Sequence, residues 1–181
     1  MNFVQLGKSP LSYIDFDLAA FPGLLSRYLL KRPLTRPLEI IGKNLATVIG
    51  ASEPEALNFF DMLLSWGGGR RNYHRVLSDP AHATEQLNKC IFLADRGQVL
   101  EAFAAAQDIF GIGPTYASKV LRFIKPEIYV SLDKKIEKRL GWHTADYVEW
   151  CKLCSKIGRM FGWPAADVEA AVFEFIMTEN Q

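Results

Sequence analysis

Residues 98–140 read QVLEAFAAAQDIFGIGPTYASKVLRFIKPEIYVSLDKKIEKRL. Gln98 to Phe110 is rich in alanine and holds no helix breaker, so it predicts a helix. Gly111-Ile112-Gly113 interrupts it, and Pro114 suits the first turn of a second helix. In that second helix Ala117, Val120, Leu121 and Ile124 fall at i, i+3, i+4 and i+7, one apolar stripe. Lys125-Pro126 ends it, Ile128 to Leu132 reads as extended, and Asp133 stands where a short helix containing Ile136 and Leu140 begins.

The same grammar extends along the chain. Ser52-Glu53-Pro54-Glu55 is a capping box ahead of the apolar run Ala56–Trp66, which Gly67-Gly68-Gly69 stops. Asp79-Pro80 starts a helix that ends near Gly97, and Thr144 and Pro164 start two more. Asp17 to Leu30 predicts a helix despite Pro22, followed by two Arg-Pro-Leu triplets, at Arg32 and Arg36, that read as a stiff connector. The one extended stretch is too short and isolated to found a sheet. The expectation is all-α: a bundle of about eight helices, one domain over residues 1–181, with two lobes and a cleft as a variant. The two helices and the glycine hairpin that joins them occupy about residues 98–124.

Charge narrows the partners. Lys and Arg number 21 against 20 Asp and Glu, which excludes a chain that binds nucleic acid through overall basicity. Between Gly111 and Arg139, however, seven basic residues face three acids, a local patch of the kind nucleic acid requires. No apolar run approaches a membrane span. The N-terminal Met1-Asn2-Phe3-Val4-Gln5 lacks the features of a signal peptide, and three cysteines make no disulfide framework. These features predict a cytoplasmic monomer with no membrane partner.

Glycines at 111 and 113 allow a tight turn and leave backbone N–H groups uncovered, an arrangement that holds phosphate oxygens without reading sequence. Gly111, Ile112, Gly113, Thr115 and Lys119 are therefore candidate DNA contacts. The same residues also make a plain glycine-capped αα-turn. A second candidate lies in Trp66-Gly67-Gly68-Gly69-Arg70-Arg71-Asn72-Tyr73-His74-Arg75. There a glycine hinge precedes arginines and rings, so Trp66, Arg70, Arg71, Tyr73 and His74 are candidates for a base pocket or a groove contact. A glycine-terminated helix with a polar loop gives the same string. No Gly-Lys-Ser/Thr follows, so it is not a phosphate-binding P-loop.

The spacing Gly111-Ile112-Gly113, Ala117, Val120-Leu121 and Val130-Ser131-Leu132-Asp133, with Ile136 after it, resembles the helix-hairpin-helix DNA glycosylases related to endonuclease III and 8-oxoguanine glycosylase. Asp133 falls 22 residues after Gly111. The resemblance implies that Asp133 is the catalytic carboxylate, stabilising positive charge on the sugar as the N-glycosidic bond breaks. Asp133 also suits a simple helix cap, and the two roles are compatible.

Three departures qualify what the resemblance implies. Bifunctional members carry a Schiff-base lysine two residues past the second glycine, where this chain has Thr115, and Lys119 one turn later is expected to fall short of that point. Phe110 replaces a usual proline, and Pro114 removes an amide from the turn. Cys90, Cys151 and Cys154 are too few for a four-cysteine iron–sulfur cluster. Neither metal nor other cofactor is expected. The implied activity is monofunctional excision of a damaged or modified base from duplex DNA, without strand cleavage. A non-catalytic helix-hairpin-helix DNA-binding module and a helical protein–protein adaptor are the alternatives.

Overall fold

A short antiparallel pair opens the fold. Strands β1 (Phe3–Gln5) and β2 (Asp15–Asp17) pair with Phe3 opposite Asp17. The computed structural model describes residues 3–47 and 50–179; Met1 and Asn2 of the N-terminal stretch read above lie outside them. The strands were not expected, because three residues each carry too little alternation to read.

The remaining elements are helical, and the fold is all-α as expected. They are α1 (Phe21–Lys31), α2 (Thr35–Thr47), α3 (Glu53–Trp66), α4 (Tyr73–Val76), α5 (Pro80–Asp95), α6 (Val99–Asp108), α7 (Pro114–Ile124), α8 (Lys134–Leu140), α9 (Tyr147–Phe161) and α10 (Ala165–Glu179). That makes ten among the described residues, where about eight were expected. The difference comes partly from the Arg-Pro-Leu triplets. The first makes the turn after α1, whereas Arg36 and Pro37 lie inside the first turn of α2, where proline's missing N–H costs no hydrogen bond.

Helix contacts fall into two groups. α2, α3, α5, α6 and α7 pack on one another, while α10 packs against α1, α8 and α9. Buried apolar side chains from both groups merge in one core. α10 is buried nearly all round and carries three buried acids, Asp167, Glu169 and Glu174. Each has a cation: Arg36 at 2.8 Å, Arg122 at 3.2 Å and Lys31 at 2.5 Å. Two of those cations, on α2 and α7, tie the first helix group to the second.

Between α7 and α8 the chain crosses the interior in extended form with no strand beside it. Its backbone polar groups must find other partners. The Trp150 indole N–H donates to Ser131 O at 3.0 Å, the Tyr147 hydroxyl donates to Val130 O at 2.9 Å, and Leu132 N–H donates to Ser118 Oγ at 2.9 Å. Trp142 and Trp150 are buried and in contact with each other. Replacing Ser118 by alanine should leave the buried Leu132 N–H unpartnered and cost about 1–3 kcal/mol. A lower urea midpoint at unchanged m-value is the expected result.

Candidate active site at the helix junction

The crossing segment delivers Asp133 to the junction of the two helix groups. Its Oδ1 accepts from Lys135 N–H at 3.1 Å, capping α8, while Oδ2 stands 3.3 Å from the Lys119 Nζ on α7. One carboxylate therefore serves as cap and as ion-pair partner, using a different oxygen for each. The Lys119 side chain is only 6% exposed, against 24% for Asp133. Burial pulls the Lys119 ammonium below its ordinary 10.5, and the charge of Asp133 opposes that shift without cancelling it.

Around this pair lies a narrow crevice lined by Tyr28, Arg32, Trp66, Ser131, Glu169 and Phe173. Lys119 Nζ lies 4.8 Å from the Tyr116 ring centroid and 5.5 Å from that of Trp66. Glu169 is wholly buried, and desolvation raises its carboxyl above the ordinary range although Arg122 pulls the other way. A desolvated amine, a partly open carboxylate and aromatic walls within one crevice form the set needed to attack, or to stabilise charge on, a sugar carbon.

The turn between α6 and α7 is built on Gly111. Ile112 N–H donates to Ile109 O at 3.0 Å, and Gly111 has φ +94°, as the third position of a type II turn demands. Its missing side chain also matters, since a Cβ there would lie 2.9 Å from Arg75 Cβ. Gly113 is the exposed N-cap of α7, and neither glycine N–H donates to another described residue. Ile112 differs from the expectation: its side chain is buried and its N–H is used within the turn, so it offers no donor to a phosphate. Thr115 is half-buried on the first turn of α7. Lys119 departs from the expectation of a phosphate contact: it is buried and paired with Asp133, and does not face outward beside the glycines.

The Trp66–Arg75 stretch divides. Trp66 walls the crevice, with its indole N–H donating to Thr35 Oγ1 at 2.9 Å. Tyr73 is not a pocket ring, because its hydroxyl turns back to donate to Leu57 O at 3.2 Å. Arg70, Arg71 and His74 are exposed and do not line the crevice. They sit on the segment that packs against Gly111, and Arg70 lies 3.4 Å from Asp61. The expected glycine hinge is a docking notch: Tyr116 donates its hydroxyl to Gly67 O at 2.9 Å, and a Cβ on Gly69 would fall 2.1 Å from that hydroxyl.

Cys90, Cys151 and Cys154 are buried free thiols, and burial pushes Cys90 and Cys151 up to about 12. Tyr28, Arg32, Ser131, Glu169 and Phe173 were not foreseen at the site. Only Glu169 left a trace in the sequence, as a charge inside the apolar run of α10.

The protein-family profile described as "Putative 8-oxoguanine DNA glycosylase OGG-like protein" matches residues 39–173, and the chain belongs to that family. Membership makes it DNA glycosylase-like and implies DNA as its substrate. No match appears among curated proteins or among solved structures. The matched span contains Trp66, Lys119, Asp133 and Glu169, whereas Tyr28 and Arg32 precede it.

Replacing Gly69 by alanine should expel Tyr116 from its notch, since the added methyl has no room beside the hydroxyl. A loss of about 1–3 kcal/mol in denaturant unfolding is expected, with Tyr116→Phe in the same background recovering part of it.

Proposed function

We propose that this protein excises an oxidised or otherwise modified base from duplex DNA, with Lys119 as the nucleophile and Asp133 as the carboxylate that stabilises the sugar. The observation that carries this reading is the 3.3 Å approach of a buried, desolvated lysine to the acid singled out by its spacing from the glycine turn. Positions 115 and 119 are four apart on α7, hence neighbours on one helix face. The lysine missing at Thr115 is supplied one turn later. On this reading the protein is bifunctional, where the sequence alone suggested a monofunctional enzyme.

In the reaction, the neutral Lys119 amine attacks C1′ and the base departs with the bonding electrons, accepting a proton as it leaves. Positive charge that develops on the sugar is stabilised by Asp133 Oδ2. Ring opening and loss of the amine proton yield a Schiff base. Removal of a 2′ proton then expels the 3′ phosphate, and water releases the amine. The free N–H groups of Gly111 and Gly113, on a turn against which Arg75 packs, support docking of the DNA backbone there.

Sodium borohydride added during incubation with a duplex containing 8-oxoguanine or another modified base should trap a covalent protein–DNA adduct. Lys119→Met should abolish it, and Asp133→Asn should slow it by about 10²–10³. Base release by Lys119→Met without an adduct would return the assignment to water as nucleophile. Failure of the wild type to release any base would favour a non-catalytic DNA-binding module.

The pH dependence follows from the lowered lysine. Its neutral form grows as pH rises through a midpoint below 10.5, so the adduct rate should climb there and not at the ordinary lysine value. A single-turnover pH–rate profile measures that midpoint, and a limb centred at 10.5 would contradict the assignment.

A further inference from the structure

Beside the catalytic crevice lies a larger open pocket of about 370 Å³, within the size range of small-molecule sites. Arg32, Trp66 and Phe173 line both spaces, so these three side chains form the partition between them. A nucleotide with its C1′ at Lys119 and its base in the larger pocket would have to cross that partition.

The movable part of the partition is Arg32. Its guanidinium carbon lies 5.3 Å from the Trp66 ring centroid, 5.1 Å from Phe173 and 5.5 Å from Tyr28. A flat, delocalised cation held among three rings occupies the kind of space that a flat heterocycle fills. Trp66 and Phe173 are buried walls, whereas Arg32 is half-buried.

The bonding of Arg32 is lopsided. Its backbone is fixed: Thr35 Oγ1 donates to Arg32 O at 2.8 Å and accepts from the Trp66 indole, and Pro33 follows directly. Its side chain is held loosely, with one long 3.4 Å hydrogen bond to Trp66 O and no carboxylate within ion-pair distance among the described residues. Neighbouring Lys31 and Arg36 both have buried acids as partners. The guanidinium can therefore leave without backbone movement and without stranding a buried negative charge.

We propose that Arg32 is a stand-in for the extruded base: it fills the slot between Trp66 and Phe173 in the free protein and is displaced when a base enters. Arg32 thereby acts as a specificity determinant, because an incoming base must outcompete the guanidinium for the same ring faces. Large bicyclic bases are favoured over small ones. This inference rests on the glycosylase reading, since it requires a base to be turned out of the duplex.

The test uses a duplex with 2-aminopurine at one position, titrated with the full chain. Anisotropy reads binding, and 2-aminopurine emission reads extrusion. Arg32→Ala should raise the extrusion equilibrium on the order of tenfold over wild type. Arg32→Gln, flat but uncharged, should shift it in the same direction by less. Equal extrusion in wild type and both variants overturns the stand-in role alone. Lower extrusion in the variants also overturns it, making Arg32 a direct base contact. Absence of duplex binding by the wild type overturns the glycosylase reading and this inference together.

Discussion

A stretch of extended backbone buried without a neighbouring strand is an expensive thing to fold, because every N–H and C=O it carries has left water. Val130 to Leu132 meet that condition. Side chains meet three of these groups: Ser118 from α7 takes the Leu132 N–H, and Tyr147 and Trp150 from α9 donate to Val130 O and Ser131 O. The consequence reaches the site. Ser118 and Lys119 are adjacent on α7, while Leu132 and Asp133 are adjacent on the crossing segment. The hydrogen bond between the first members of these pairs sets how closely the second members approach. Geometry at the candidate active site is thus inherited from backbone satisfaction in the core.

The seam between the helix groups is organised by charge as well as by packing. Arg122 is fully buried between Glu39 at 3.1 Å and Glu169 at 3.2 Å, and its guanidinium carbon lies 5.5 Å from the Trp66 ring centroid. Lys119 and Arg32 approach the same ring. Buried pairs of this sort add little net stability compared with apolar packing, yet breaking one leaves an uncompensated charge. Their effect here is to fix how α2, α7 and α10 meet. That matters because the crevice draws its walls from both helix groups and has no rigid element of its own.

The glycine turn, the helix after it and the position of Asp133 were legible because they depend on residues close in sequence, where periodicity and capping rules operate. Other features depend on contacts that no local rule encodes. The triple glycine read as a hinge because glycine lowers chain stiffness; what selects Gly67 and Gly69 is the close approach of Tyr116, 47 to 49 residues away. Tyr73 read as a free ring, and its polar tip is taken up by a helix carbonyl. Tyr28, Arg32 and Phe173 come from opposite ends of the chain and are ordinary helix or turn residues until the helices pack. The β1–β2 pair was missed for a different reason, its length.

On the proposed reading, the placement of Lys119 shows how a site can tolerate a shifted residue. One helical turn is about 5.4 Å, a step that taken alone carries a lysine away from the glycine turn. Side chains on a helix, however, lean toward its N-terminus and cover the turn before their own Cα. A long side chain at 119 therefore returns toward the space above 115 and 116, and its ammonium lies 4.8 Å from the Tyr116 ring centroid. Placing the amine this way has a chemical effect. At 115 a side chain stands in the first turn of α7 on a half-buried position, whereas from 119 the amine is wrapped by Tyr116 and Trp66 and loses most of its water. Desolvation then favours the neutral, nucleophilic form. Reach and reactivity thus have one origin, the backward lean of a lysine through aromatic walls.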